Sequence, residues 1–223
     1  MTIECDHLFI CTSCGGEEAS CLLAAGLTEG SPNTHPGQGT ACRRFFFANF
    51  YIELLWICNA REAQSEMTRP TRLWERWQGR GDGVCPLGLG FRPGPGQDGG
   101  VPFNSWDYRP PYLPAPLSIQ VATNADVLTE PMLFYLPFAQ RSDGYPTGKQ
   151  PPLRHRAGLR EVTRVELTSP HAGSPSPELA AVTVSGLAQL RGGSQYLVEL
   201  GFDEELRGQQ VDFQPLLPLR FRW

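Results

Sequence analysis

Lysine is almost absent from this chain: of its nineteen cationic residues, all but Lys149 are arginine. Twenty-three acidic residues bring the net charge to −4 and the pI to about 5.6, which leaves no basic footprint for a nucleic acid. Long apolar runs are missing too, and none approaches the roughly 20 residues that a membrane-spanning helix needs. The first residues, Met1-Thr2-Ile3-Glu4-Cys5-Asp6-His7, lack the basic-then-apolar pattern of an export signal. The expectation is therefore a cytoplasmic protein, with neither nucleic acid nor membrane as partner. No G-x-x-x-x-G-K-[ST] or G-x-S-x-G motif occurs, so P-loop nucleotide binding and serine hydrolysis have no local support.

What is present suits a folded core. The 223 residues are 40% hydrophobic and 19% charged, enough for one large domain or two tightly packed modules. Seven cysteines, at 5, 11, 14, 21, 42, 58 and 85, are odd in number and confined to the first 85 residues, so reduced, mostly buried thiols are expected. Cys11-Thr12-Ser13-Cys14 has a redox dithiol's spacing, but the flanking pattern is not that of a thioredoxin, and the expectation stays with unbonded thiols.

The most informative stretch is Thr40 to Ile57. Its aromatic and β-branched content predicts a strand pair turning at Ala48-Asn49. In Tyr51-Ile52-Glu53-Leu54-Leu55-Trp56-Ile57 every residue but Glu53 is apolar. A carboxylate there is costly unless paired, protonated or bound to a metal. Asp6 to Cys11 reads as a first strand, with His7, Phe9 and Cys11 on one face and Leu8 and Ile10 on the other. A helix capped by Thr12 or Ser13 follows and ends at Gly26; Leu27-Thr28-Glu29 begins a short strand, and Ser31 to Thr40 is a loop. Further on, helix is expected after Arg69, with Trp74 and Trp77 on one side, and strand over Val84–Arg92, Leu117–Ala122 and Met132–Phe138. Gly/Pro loops fill Pro93–Gly100 and Arg141–Gly158. Strands are also expected near 162–168, 196–202 and 217–223, with a helix from Pro177 to about Leu190.

Asp6-His7 opening a strand, the helix, His35-Pro36-Gly37-Gln38-Gly39-Thr40-Ala41, and Tyr51-Ile52-Glu53-Leu54-Leu55 together resemble the glyoxalase-like branch of the vicinal oxygen chelate superfamily, over about the first 60 residues. The resemblance implies an α+β fold: βαβββ-like modules forming a curved, largely antiparallel sheet around a pocket, with helices on the outer face. It divides the chain into a first module (1–60), a helix and middle β-rich module (61–140), a Pro/Gly-rich linker (141–158) and a C-terminal strand-helix-strand-strand module (159–223). It also implies one divalent ion (Fe, Mn, Zn or Ni) held by His7 and Glu53, an imidazole and carboxylate pair suited to such metals. Glu53 would be ligand or general base. The middle strands carry no His, Asp or Glu, so the third ligand that a full site needs is not found there.

The functional expectation is a small-molecule pocket protein, with metal-assisted lyase, isomerase or dioxygenase chemistry at His7 and Glu53. Its alternative is a metal-free binding or sequestering protein of the same fold. Candidate ligand contacts are His35, Gln38, Thr40 and Arg43 around the loop, and Trp106, Tyr108 and Arg109 further on. A small organic molecule is the expected partner, and a homodimer is one way paired modules are completed. His155 and His171, in Pro- and Gly-flanked loops, are expected to be solvent-exposed.

Overall fold

The structure, a computed structural model, describes residues 2–96 and 100–223; the part of the Pro93–Gly100 loop at 97–99 lies outside the described residues. Strand β1 spans Ile3–Cys11, and its period-2 pattern divides two apolar clusters: Leu8 and Ile10 enter one, Phe9 and Cys11 the other. Helix α1 (Ala19–Ala24) begins without a side-chain cap. Glu18 instead turns back, its carboxylate accepting from the Ser13 backbone N–H and hydroxyl at 2.8 Å each. Gly26, at φ 91°, ends the turn.

The second strand is not at Leu27–Glu29. It is β2, Asn33–His35, inside the expected loop, because the backbone there can pair with β3 (Thr40–Phe46), His35 lying opposite Thr40. The link between them needs positive φ at Gly37 and Gly39. The hairpin then closes as expected through 47–50 into β4 (Tyr51–Ile57). Short helices α2 (Ala60–Ala63) and α3 (Leu73–Gln78) follow, with a 3-10 turn at Arg69–Thr71 around Pro70. Trp77 anchors α3 by donating its indole N–H to the Thr12 carbonyl at 2.8 Å. Strands β5 (Leu87–Pro93), β6 (Ser105–Tyr108), β7 (Ile119–Ala122) and β8 (Met132–Tyr135) complete a first sheet.

Its order is β2-β3-β4-β1-β5-β8-β7-β6, parallel at β1–β4 and β5–β8 and antiparallel elsewhere. The two halves repeat one arrangement about the β1–β5 pair, and the sheet curls into a half-barrel. The protein is α+β, with the expected curled sheet.

A second sheet follows, built from β9 (Val162–Ser169), β10 (Gln189–Gly192), β11 (Leu197–Phe202), β12 (Gln210–Asp212) and β13 (Leu219–Arg222), with helix α4 (Pro177–Val184) between β9 and β10. Its order is β10-β9-β11-β13-β12. One face, through Val165, Leu167, Val198, Leu200 and Phe221, shares a core with Leu8, Ile10, Ile52 and Leu54 on the convex face of the first sheet. Leu22 of α1 and Leu179 of α4 belong to the same cluster. The other face carries Arg164, Glu166, Glu199 and Arg220 in a network of ion pairs at 2.7–3.3 Å, so Glu166 and Glu199 lie away from the concavity of the first sheet.

The Arg141–Gly158 stretch is more than a connector. His155 is buried, donating from Nε2 to the Phe46 carbonyl at 2.8 Å and accepting at Nδ1 from the Thr28 backbone N–H at 3.0 Å. This corrects the expectation of exposure: two unpaired backbone groups beside β3 recruit the imidazole. His171 is exposed.

Candidate functional site

The concave face of the first sheet is organised by strand alternation. Because His7 pairs with Tyr51 and Phe9 with Glu53, these four side chains leave β1 and β4 on the same side. The β3 register, Arg44 opposite Glu53 and Cys42 opposite Leu55, adds Cys42 and Arg44. A cavity of about 220 Å³ lies there. Its lining is mixed: Phe9, Leu55, Leu73, Ile119, Met132, Phe134 and Leu136 are apolar, whereas His7, Asn33, His35, Gln38, Arg44, Tyr51, Glu53 and Tyr112 are polar. Tyr108 also lines it, its hydroxyl 3.3 Å from Thr68 Oγ1.

His7 and Glu53 therefore share a cavity, as the sequence suggested. His7 is fixed by Asp6, whose carboxylate accepts from Nδ1 at 2.7 Å, and Asp6 has the Arg92 guanidinium 3.6 Å behind it. The ring stacks on Tyr51 at 4.3 Å and meets the Phe134 edge at 5.0 Å. Nε2 is the nitrogen left to act. Glu53, only 7% exposed, faces the Cys42 thiol, Sγ to Oε1 being 3.6 Å.

The loop residues divide by face. His35 has the Asn33 amide on Nε2 at 3.0 Å, so in the neutral ring the proton is on Nδ1 and is donated to Thr40 Oγ1 at 2.8 Å. Gln38 also donates to Thr40 Oγ1, at 2.7 Å, and Tyr112 donates to the Gln38 side-chain Oε1 at 3.4 Å. His35, Gln38, Thr40 and Tyr112 are thus one polar group at the cavity. Arg43 is not part of it: alternation sends its side chain to the opposite face, where it pairs with Glu29 at 2.5 Å and with the Gly16 carbonyl at 3.1 Å. Arg44 takes the cavity position, held by the Ser31 carbonyl at 3.0 Å and lying 5.0 Å over the Phe46 ring. Of the later trio only Tyr108 reaches the cavity. Trp106 packs edge-on against it at 5.9 Å, and Arg109 is exposed in an ion pair with Asp107. Sequence reasoning missed Cys42, Arg44, Tyr51 and Tyr112; for the first three, alternation through Glu53 was the available signal.

Burial keeps His35, Cys42 and the phenols uncharged beside Glu53 and Arg44. Desolvation lowers the His35 pKa, favouring neutral imidazole. Burial, with Glu53 nearby, raises the Tyr51, Tyr112 and Cys42 pKa values well above ordinary, and burial pushes Tyr108 to about 12. At neutral pH the phenols are hydrogen-bond donors and Cys42 is a thiol.

Whether an ion fits between His7 and Glu53 depends on what faces them. Across β1–β5, Gly90 lies opposite His7 and Gly88 opposite Phe9; beyond them Gly88 pairs with Met132 and Gly90 with Phe134. Among the described residues, these positions of β5 and β8 therefore offer no His, Asp or Glu where a chelate centred on the β1–β5 pair would need one. A divalent ion at that centre does not fit these residues. A different set is assembled beside it. One ligand atom each from His35, Cys42 and Glu53, all buried, lie within 4.8 Å of one another.

No known family's sequence pattern matches the chain, and no curated protein does. Among solved structures, it is similar to a hypothetical protein from Staphylococcus aureus, with a TM-score of 0.52 and 11% identity, over 100% of this chain and 99% of that one. It also aligns with a xylose isomerase-like TIM barrel/4-hydroxyphenylpyruvate dioxygenase fusion protein, with a TM-score of 0.49 and 10% identity, over 89% of this chain and 36% of that one. Identities this low speak to fold and not to activity; the first likeness, which spans both chains, shows a shared fold.

Proposed function

We propose that the chain binds a small amphipathic organic molecule in the concavity of its first sheet. One observation carries this reading: the cavity lining combines a set of apolar side chains with a set of buried polar ones. Phe9, Met132 and Phe134 offer an apolar wall for a ring or branched aliphatic body. Glu53 and the phenol of Tyr51 offer an acceptor and a donor for a hydroxyl or carbonyl group. About 220 Å³ lies below the roughly 300–1,000 Å³ of drug-sized sites, so the ligand is small.

Calorimetric titration with a panel of hydroxylated and carbonyl-bearing aromatic or alicyclic compounds tests the proposal. At least one compound should bind, at least tenfold more weakly to Phe134→Ala. A panel with no binder, or binding indifferent to both Phe134→Ala and Glu53→Gln, would sink it.

A second reading, catalysis, is favoured by the surroundings of Glu53. Among the described residues its hydrogen-bond partner is a thiol, which leaves carboxylate lone pairs free to take a proton from a bound ligand. Proton exchange of a bound carbonyl compound at its α-carbon, lost in Glu53→Gln with binding retained, distinguishes an isomerase or lyase from a sequestering protein.

A further inference from the structure

The His35, Cys42 and Glu53 cluster is not explained by fold or packing. A strand pair this apolar has no structural need for a thiol, a carboxylate and an imidazole together. Each side chain comes from a different strand, β2, β3 and β4, so the cluster depends on the sheet register and not on one flexible loop. The donors also differ in kind: one nitrogen, one sulfur, one oxygen.

We propose that His35, Cys42 and Glu53 bind a zinc-type divalent ion through three protein ligands, with the fourth position open to the cavity. The site is displaced from the β1–β5 centre toward the β2 edge, and His7 is not a ligand. This deepens the small-molecule reading and rests on it for one point only, that the open position faces the bound compound.

The geometry is within reach. A tetrahedral ion with ligand bonds of about 2.0–2.3 Å sets its donors about 3.3–3.6 Å apart. Cys42 Sγ and Glu53 Oε1 are already at 3.6 Å, and the remaining separations do not exceed 4.8 Å. A rotamer adjustment closes the rest. Thr40 Oγ1 accepts from His35 Nδ1–H and orients the ring, and the Asn33 amide that now donates to Nε2 at 3.0 Å must turn aside for the ion to take that lone pair. Charge balances as well: one thiolate and one carboxylate neutralise a dication, so the occupied set of ligands carries no net charge. Mixed imidazole, thiolate and carboxylate donors favour zinc over the hard, oxygen-seeking magnesium and calcium.

Binding exchanges one proton for the metal. The Cys42 S–H bond breaks, an S–metal bond forms, and the proton leaves to solvent; no electron is transferred. Without metal the thiol stays protonated, because burial and the Glu53 charge raise its pKa, while the Arg44 charge and, to a smaller extent, a backbone hydrogen bond at Asn33 act in the thiolate's favour.

Cobalt(II) is the probe, added under reducing conditions to the full chain in a Cys14→Ser, Cys58→Ser background that removes the two exposed thiols. One cobalt per chain should bind, with sulfur-to-cobalt charge-transfer absorption and the intense visible bands of a tetrahedral site, and zinc should displace it. Cys42→Ser, with its fold checked by circular dichroism, should lose the charge-transfer band. Its affinity should fall by at least the roughly 100-fold that losing an outer-shell partner costs. His7→Ala should keep both. Absence of stoichiometric binding, a bound cobalt without the sulfur band, or a site lost in His7→Ala and kept in Cys42→Ser each overturns the proposal. Compound binding by metal-free protein in the calorimetric panel would leave the small-molecule reading standing even then.

Discussion

His155 and His35 are both held neutral by burial, and each has its ring nitrogens committed to neutral-form hydrogen bonds. In the unfolded chain each titrates near 6.5. The folded values are lower, so as the pH falls below about 6.5 the unfolded chain takes up protons that the native state refuses. The two histidines thus contribute stability that is fully present above that pH and is lost progressively below it. Urea-unfolding midpoints should drop between pH 7 and pH 5.5, and His155→Gln should flatten the slope. A flat or rising wild-type profile would contradict this. At pH 7, His155→Ala should cost about 1–3 kcal/mol, since it leaves the Phe46 carbonyl and the Thr28 N–H unpaired. Of this pair only His35 was legible in the sequence as a site residue. His155 sits among Pro, Gly and Arg, and its role is set by backbone groups more than 100 residues away. The same limit applies to Arg43 and Arg44: composition marks both equally, and only the register against Glu53 separates them.

At the scale of elements, β5 shows what two glycines do inside a central strand. A Cβ on Gly88 would overlap the edge of the Phe9 ring, and one on Gly90 would lie 2.8 Å from the Phe134 ring and 2.9 Å from the His7 imidazole. Alanine normally stabilises such positions by about 0.5–1 kcal/mol through the backbone. Here the overlap wins, because Phe9 is buried and stacks on Phe134 at 6.0 Å. Gly88→Ala should destabilise the chain by about 1–3 kcal/mol, the cost of overpacking a filled core. Truncation by Phe9→Leu in the Gly88→Ala background should recover part of it. A double-mutant cycle with no coupling between the two sites would refute the clash. Long apolar or alternating strands such as β1, β3, β4 and β9 could be read from pattern because their periodicity is their packing. Strands β2, β10 and β12 are three or four residues long with mostly polar side chains, and they are strands because a neighbour offers hydrogen bonds. Nothing local announces that.

For the whole molecule, the convex face of the half-barrel decides whether the parts are independent. Leu8, Ile10, Ile52, Leu54, Leu87 and Leu89 point away from the cavity and are buried against a cluster that includes Val165, Leu167, Val198, Leu200 and Phe221 of the second sheet. Phe47 reaches across to Phe202 at 4.7 Å. Asn49 stitches the hairpin turn to Val162 through both its amide groups, at 2.7 and 2.9 Å. At about 1.5–3 kcal/mol for each large apolar side chain kept from water, six such residues represent on the order of 10 kcal/mol. That is as large as the roughly 5–15 kcal/mol net stability of an ordinary domain. Neither sheet can then fold without the other, although the cavity and all its lining residues belong to the first 138 residues. The full chain should unfold in one calorimetric transition, with equal van't Hoff and calorimetric enthalpies. A fragment of residues 1–158 should be aggregated or bind a hydrophobic dye without cooperative melting. A soluble fragment with a sharp transition and intact ligand binding would show instead that the first sheet carries its own fold, and that the second is an appendage. The ion pairs on the outward face cannot substitute for this apolar contact, because pairs near solvent are each worth about 1 kcal/mol or less. Arg220→Ala should therefore move the melting temperature far less than Phe221→Ala, one residue further along the same strand and facing the other way.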